Sequence, residues 1–495
     1  MQSSIHSIMN NNDVFSIDTL KQERALRLDG AMGTQIQRFN LVEEDFRQGL
    51  PVAPARDVKG NNECLNLTRP DVVRSIHRSY VEAGADIIET NSFGANSLVQ
   101  QDYGLSSLAP DMALAAARLA REAADAAPRK VWVAGSMGPG SKSLSLVADF
   151  VRPEWRPCSF DEVADAYAGQ ARALIEGGVD LIIVETCFDA LNAKAALYGV
   201  HQVKPGFPVI VSVSVSGSSG RVLTGQSLEA FFAAVSHAPL AAFGLNCSMG
   251  VEGLLPLVRS LGAWCPVPLV CYPNAGLPNA SGGYDETPGM MAHDVEGLDG
   301  EVNLYGGCCG TTPEHIHALP ALRSRTVPTG DKHLVLSGLE VWDMEDKPIK
   351  VSTAANVRRS PEFAGMMERG EYEDALYYVS DQLATDGASL LDVNLDGLPD
   401  TPAAMERFVR LIQSDPSVSS AALLIDSADW DTLLQGLKNA QGKSLAGSLD
   451  PCEPGFAGKA DVIRSLGGVV LVKECDDQIR VNQDFVSEYS LSLLP

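Results

Sequence analysis

No stretch of this chain stays apolar for the ~20 residues that a membrane-spanning helix requires. The N-terminal segment MQSSIHSIMNNNDVFSIDTL is polar and lacks the apolar core of a secretory signal. A cytoplasmic location is the resulting expectation. Positive charge is also scarce: 38 Lys and Arg face 63 Asp and Glu, for a net charge of −25. That balance argues against nucleic acid or an anionic membrane as partner. Several enzyme signatures are missing, among them a GxxxxGKS/T phosphate loop and a GxSxG nucleophile turn. The eight histidines form no HxxxH or HExxH pair, which argues against a histidine zinc site. There is no short-period repeat and no low-complexity tract.

What the chain does have is length, with 495 residues, more than one ordinary core accommodates. Eight strand-like runs lie at 25–30, 86–90, 131–136, 180–186, 208–214, 240–246, 267–272 and 301–307. Helix-like segments such as RPDVVRSIHRSYVEAGA and FDEVADAYAGQARALIEGG separate them, with Val72, Val73, Ile76, Tyr80 and Val81 on one face of the first. This is the βα pattern of a parallel sheet. An open doubly wound sheet is the rival, but the count of eight favours an α/β fold of the (β/α)8 TIM-barrel type.

A second βα series follows, with strand-like runs at 389–394, 422–427, 444–449 and 468–474. It stops after four or five units, like half of a second TIM barrel. The expected division is a polar extension (1–20), a barrel (21–325), a linker (326–338) and a partial βα unit (339–495).

Polar residues crowd the strand ends of the barrel, where active groups sit in this architecture. They include Asp29, Glu89, Thr90, Asn91, Glu185, Asn246, Cys247, Tyr272 and Asn274, and the pair Cys308–Cys309 in NLYGGCCGTTPEH. Cys247 follows the sixth run and the pair follows the eighth, so a barrel brings them together. Three thiolates would suit a soft, tetrahedral metal such as Zn²⁺ with one position open. The alternative is that they are buried small hydrophobes, the reading adopted for Cys64, Cys158, Cys187, Cys265, Cys271, Cys452 and Cys475. Ten cysteines in a reducing compartment suggest metal ligands or buried thiols, not a disulfide framework. Asp29 and Glu185 either cap the next helices or grip a ligand amino group.

The segments LDGAMGTQIQ, NECLNLTRPDVV, GADIIETNSFGANS, VETCFDALNAKAAL, FGLNCSMG, YPNAGLPNA and GGCCGTTPEHI occur in one order over residues 20–325. Together they closely resemble the homocysteine S-methyltransferase family, and within it the homocysteine-binding module of cobalamin-dependent methionine synthase. The resemblance implies zinc held by Cys247, Cys308 and Cys309, with the homocysteine sulfur in the fourth position. It implies that Asp29 and Glu185 contact the amino group of homocysteine. It places Gly30 and the Thr90–Asn91 loop near the carboxylate, and gives Asn246 a part in shaping the zinc site.

The second unit resembles the folate-binding module of the same synthase more weakly, through GASLLDVNLD and LLIDSADWDTLLQGLKNAQGKSLAGSL. Asn356, Asp392, Asn394 and Asp426 match its pterin-facing residues. The chain has STAANVRRS where that module has a Gly-Glu-Arg-Thr-Asn stretch, which argues against folate as a cofactor. The cobalamin signature Asp-x-His-x-x-Gly has no match; DKHLVL lacks the glycine. The methyl donor is therefore expected from outside: methylcobalamin, on a separate corrinoid protein or free, or a sulfonium such as S-methylmethionine. An accessory role as the homocysteine- and zinc-binding subunit of a split synthase, or a truncated synthase fragment, is the alternative.

Overall fold

Residues 14–280, 282–329, 334–344, 349–472 and 485–487 are described by the structure, a computed structural model. Eight parallel strands form the first sheet: β1 (Leu26–Arg27), β2 (Ile87–Glu89), β3 (Trp132–Met137), β4 (Leu181–Cys187), β5 (Val209–Val213), β6 (Leu240–Asn246), β7 (Leu269–Tyr272) and β8 (Leu304–Tyr305). They pair in the order β1–β8–β7–β6–β5–β4–β3–β2. A bridge between Leu28 and Ile87 joins the two ends and closes the ring. Each strand-like run of the sequence overlaps one of these strands, β3 and β4 ending one residue beyond theirs, and the fold is the expected (β/α)8 barrel.

Every residue of β3, β5, β6 and β7 is buried. A barrel strand has helices outside and packed side chains inside, so the sequence reads as a continuous apolar run. The inner set takes alternate residues, including Leu28, Ile87, Ala134, Ile183, Ile210 and Val270. Phe15 and Leu20 belong to that inner cluster. Phe15 meets Trp132, the first residue of β3, edge to face at 5.4 Å, so the N-terminal segment plugs the bottom of the barrel.

The helices follow local rules. Pro70–Glu82 starts with proline in its first turn and buries Val72, Val73, Ile76 and Tyr80. Phe160–Glu176 starts with a capping box: Glu162 N–H donates to Ser159 Oγ at 3.2 Å, and Ser159 N–H to Glu162 Oε2 at 2.8 Å. Among the described residues no helix is long and apolar enough to cross a membrane.

The second unit begins with an antiparallel hairpin, β9 (Val335–Ser337) and β10 (Val341–Asp343). A parallel sheet follows: β11 (Val351–Asn356), β12 (Leu390–Asn394), β13 (Ala422–Ile425), β14 (Leu445–Leu449), β15 (Val469–Val472) and β16 (Phe485–Ser487), paired in chain order. Six strands exceed the four strand-like runs of the sequence. β11 escapes recognition because VSTAAN carries small and polar residues. Leu334 and Leu336 pack on Leu390, Leu424, Leu445 and Val469, so the hairpin covers one face of the sheet.

The second unit rests on the outer helices of the barrel. Lys194 in the helix Ala190–Val203 donates to Ala440 O at 2.9 Å and to Gly442 O at 3.1 Å. Gln441 donates to Gln226 Oε1 at 3.0 Å, and Lys438 pairs with Asp161 at 2.8 Å.

Candidate active site

Cys247 directly follows β6, and both it and Ser248 adopt left-handed backbone, with φ of 58° and 63°. Non-glycine residues hold this conformation only where surroundings impose it, and such strain gathers at functional sites. Here the Cys247 N–H donates to Tyr272 O at 3.2 Å, and Val215 N–H to Ser248 Oγ at 3.0 Å. The turn aims Cys247 across the barrel mouth.

Cys308 and Cys309 follow β8. Cys308 N–H donates to Pro273 O at 2.7 Å, Ala275 N–H to Cys309 O at 2.9 Å, and Thr311 Oγ1 to Cys308 O at 2.7 Å. The three glycines around the pair differ in purpose. Only Gly310 has positive φ, at 82°, whereas a Cβ on Gly307 would lie 2.5 Å from Thr311 and one on Gly306 2.7 Å from Leu28.

The ligand atoms of Cys247, Cys308 and Cys309 lie within 4.8 Å of one another, with Cys247 Sγ and Cys309 Sγ 4.0 Å apart. Sulfurs around a tetrahedral zinc stand roughly 3.8 Å apart, given Zn–S bonds of about 2.3 Å. Donor set and spacing both fit that metal. Hydrogen bonding among the three sulfurs pulls the pKa of Cys247 far down and drives that of Cys308 well up. A first negative charge is therefore shared within the cluster, ready for a cation.

Asn246, fully buried, braces the cluster. Its Oδ1 accepts from Thr186 N–H at 2.9 Å and Ser212 Oγ at 2.7 Å; its Nδ2 donates to Thr186 Oγ1 at 2.8 Å and reaches Cys308 Sγ at 3.9 Å. Two further residues border the sulfurs. Asn274, seen in the sequence only as a strand-end residue, interacts with Cys247, and Tyr284, which the sequence did not single out, interacts with Cys309 and lies over Gly310.

Three carboxylates line the same mouth. Asp29 Oδ2 accepts from Glu89 N–H on the neighbouring strand at 3.0 Å, so Asp29 does not cap a helix; its Oδ1 is buried with no hydrogen-bond partner. Glu185 accepts from Ser136 Oγ and, at 3.4 Å, from Tyr272 OH. Glu89 Oε1 is likewise buried without a partner. Burial drives Asp29 and Glu89 well above the usual carboxylate range, reinforced by Glu185, and pushes Glu185 up to about 7. Three buried carboxylates in one mouth favour a cation among them. Glu89 was visible in the sequence only as a strand-end residue; its side chain joins the set because β2 lies beside β1.

The other expected positions are mainly structural in their side chains. Thr90 Oγ1 bonds Ser92 Oγ at 2.6 Å and accepts from Ser136 N–H at 3.0 Å. Asn91 Nδ2 donates to Asn62 O at 2.8 Å and Asn66 Oδ1 at 3.0 Å. Gly30 has no room for a Cβ, which would stand 2.7 Å from Thr311 Oγ1. Cys64, Cys158, Cys187, Cys265 and Cys271 are buried, as expected of bland thiols. Cys452, in the loop after β14, is exposed and disulfide-bonded, against the expectation of a buried thiol, and Cys475 lies outside the described residues.

In the second unit Asn356 donates to Asp392 Oδ2 and Asn394 donates to Asp426 Oδ2, both at 2.7 Å. These two amide–carboxylate pairs form a row at the strand ends. Asp392 Oδ1 is buried with no hydrogen-bond partner, and burial pushes Asp392 up to about 6.

Comparison with known proteins gives a match between residues 26–322 and the family profile described as homocysteine S-methyltransferase. Among solved structures, the metallated form of the homocysteine methyltransferase MmuM from Escherichia coli is 26% identical, the match covering 61% of this chain and 97% of that one, with a TM-score of 0.45. Its oxidized form is 22% identical, covering 59% and 94%, with a TM-score of 0.46. The carboxyl transferase domain of Rhizobium etli pyruvate carboxylase, with 3-bromopyruvate, is 14% identical, covering 59% and 41%, with a TM-score of 0.35.

Proposed function

Because this chain belongs to the homocysteine S-methyltransferase family, we propose that its barrel makes methionine by moving a methyl group onto homocysteine, with zinc held by Cys247, Cys308 and Cys309. The observation that carries this reading is the meeting of three sulfurs from two strand ends within 4.8 Å. When bound, zinc supplies the Lewis acidity that keeps a thiol of ordinary pKa near ~8.5 in its thiolate form at neutral pH.

The chain's own residues supply position. Asp29 and Glu185, with Glu89 beside them, hold the substrate ammonium. Their excess of acid favours a cationic amino acid and disfavours an acylated one. Gly30 and the Thr90–Asn91 loop border the substrate carboxylate through backbone. Asn246 fixes the direction of Cys308. The methyl group then passes in line: a sulfur–carbon bond forms while the donor–carbon bond breaks, and its electron pair leaves with the donor. No general base on the protein is required.

The proposed donor is methylcobalamin presented by a separate corrinoid protein, because the motif set resembles the cobalamin-dependent branch. S-methylmethionine is the alternative. Folate binding by the second unit is a subsidiary reading, favoured by the unpartnered Asp392 Oδ1 in the row with Asn356, Asn394 and Asp426. Absence of saturable tetrahydrofolate binding would dismiss it.

The test of the main reading is homocysteine-dependent demethylation of free methylcobalamin by zinc-loaded protein, followed by visible absorbance. Turnover abolished by Cys309→Ser supports it. No turnover with zinc and homocysteine still bound supports instead the accessory subunit of a split synthase, or the other donor.

A further inference from the structure

The loop after β7 doubles back on itself. Pro278 and Tyr284 form an antiparallel bridge. Asn279 N–H donates to Gly283 O and Gly282 N–H to Asn279 O, both at 2.8 Å. Asn279 Nδ2 reaches across to Asp285 Oδ1, also at 2.8 Å. The returning limb then meets the loops that carry the sulfurs.

The ring of Tyr284 fills the place where Gly310 lacks a side chain; a Cβ there would collide with it. Gly310 directly follows Cys309, with which Tyr284 also interacts. Two residues on, Glu286 O faces His315 Nε2 at 2.9 Å, in the helix Pro313–Ala318 that follows the cysteine pair. A carbonyl only accepts, so Nε2 carries the proton and Nδ1 takes one from Thr312 Oγ1 at 2.9 Å. The Glu286 side chain lies instead against the loop after β6, which begins with Cys247. A Cβ on Gly250 of that loop would stand 3.6 Å from Glu286 Oε2. Glu286 Oε1 is buried with no hydrogen-bond partner, a placement that local stability does not favour.

Residues 284–286 therefore touch both sulfur-bearing loops, Cys247 on one and Cys308 and Cys309 on the other. We infer that this segment is a strap holding the two loops in register, and that Tyr284 is a positioning residue for the cluster, acting through its ring on Gly310. The inference rests on the zinc reading of the three sulfurs. A tetrahedral ion needs all three at one distance from one point, and such a site tolerates a misplacement of only about 0.5 Å. The root of the same β7 loop ties both sulfur loops at their bases, through Tyr272 O, Pro273 O and Ala275 N–H. A single tie leaves a hinge. The strap adds a second tie farther along each loop, at Gly250 on one and at Gly310 and His315 on the other. Two ties fix orientation as well as place.

The experiment is titration of the full, metal-free chain with Co²⁺, a spectroscopic stand-in for zinc, followed by its thiolate charge-transfer and d–d absorbance. The parent is expected to show the intense d–d bands of a tetrahedral thiolate site. Tyr284→Ala is expected to weaken binding by about tenfold or more and to shift and weaken those bands. Tyr284→Phe keeps the ring and is expected to restore the parent spectrum, with affinity within about threefold of the parent. Leu277→Ala, an exposed change on the same loop, is expected to alter neither. Parent-like affinity and spectrum in Tyr284→Ala overturn the strap and leave the zinc reading standing. A loss in Tyr284→Phe as large as in Tyr284→Ala overturns the ring as the grip. Glu286→Ala removes the hold on Gly250 alone and is expected to change the spectrum in the same direction. Parent-like behaviour there overturns the strap even where Tyr284→Ala does not fold. No Co²⁺ binding by the parent overturns the zinc reading, and the strap with it.

Discussion

Asn246 and Thr186 clasp each other through two hydrogen bonds, Thr186 N–H to Asn246 Oδ1 at 2.9 Å and Asn246 Nδ2 to Thr186 Oγ1 at 2.8 Å. Thr186 has φ of 55°, a conformation threonine avoids without such restraint. It directly follows Glu185, so the clasp sets the direction in which that carboxylate leaves β4. Asn246→Ala strands the Thr186 N–H, a loss of about 1–3 kcal/mol in stability. The KM for homocysteine should rise, and zinc affinity, read by chelator competition, should fall by less than it does on removal of a cysteine sulfur, since Asn246 also reaches Cys308 Sγ at 3.9 Å. An unchanged KM would remove Asn246 from the substrate side of the site.

Removing a sulfur should act on the metal first. Cys308→Ser or Cys309→Ser is expected to weaken zinc binding by roughly a hundredfold, equivalent to about 3 kcal/mol, with methyl transfer falling in parallel. Competition with a chromogenic chelator reads the affinity. Retention of both zinc and turnover would refute the proposed ligand set.

Glu185→Gln separates substrate from metal. A hydrogen bond to a charged group contributes about 1.5–3 kcal/mol, so the KM for homocysteine should rise ten- to a hundredfold by the same conversion, roughly. Zinc affinity should stay at the wild-type level. Asp29→Asn should behave alike, with an added loss because Asp29 also receives the Glu89 N–H.

His77 predicts acid sensitivity. Both its ring nitrogens are buried without a hydrogen-bond partner, and burial pushes its pKa down to about 4. The unfolded chain protonates near ~6.5. Between these values the unfolded state binds more protons, so stability falls as pH drops through that window, by about 3 kcal/mol in all. His77→Leu should flatten this dependence in urea midpoints at pH 7 and 4.5. Parallel profiles for variant and parent would refute the assignment.

Gly467 tests the seam. Its φ is 80°, and an added Cβ would stand 2.8 Å from Lys194 Cε and 3.1 Å from Ala234 O. Gly467→Ala is expected to destabilise the protein by about 1–3 kcal/mol. Proteolysis should then cut the second unit faster while leaving the barrel resistant.

The eight barrel strands were legible because burial on both faces writes them as unbroken apolar runs, as in Val209–Val213. The sulfur cluster was legible only through that topology, since Cys247 and Cys308 are far apart in the chain and meet because β6 and β8 flank β7. β11 and the β9–β10 hairpin were not legible, because small residues and a short turn carry no strong period. Nor was the Asn246–Thr186 clasp, since a left-handed threonine is imposed by contacts across the barrel and leaves no mark in local sequence. Tyr284 comes from a loop whose path no periodicity describes.

The ring of strands has one unusual joint. Where β5 and β6 share a run of paired residues, β1 and β2 meet through the single Leu28–Ile87 bridge. A backbone bond from Asp86 N–H to Arg27 O at 2.7 Å and two side-chain bonds add to the fastening there: Asp86 Oδ2 accepts from Arg27 N–H at 2.8 Å, and Asp29 Oδ2 from Glu89 N–H at 3.0 Å. Asp29 is thus a rivet of the hoop and a wall of the pocket at once. A molecule that grips its free oxygen pulls on the fastening itself, so an occupied pocket and a tightened hoop become a single event felt at two addresses.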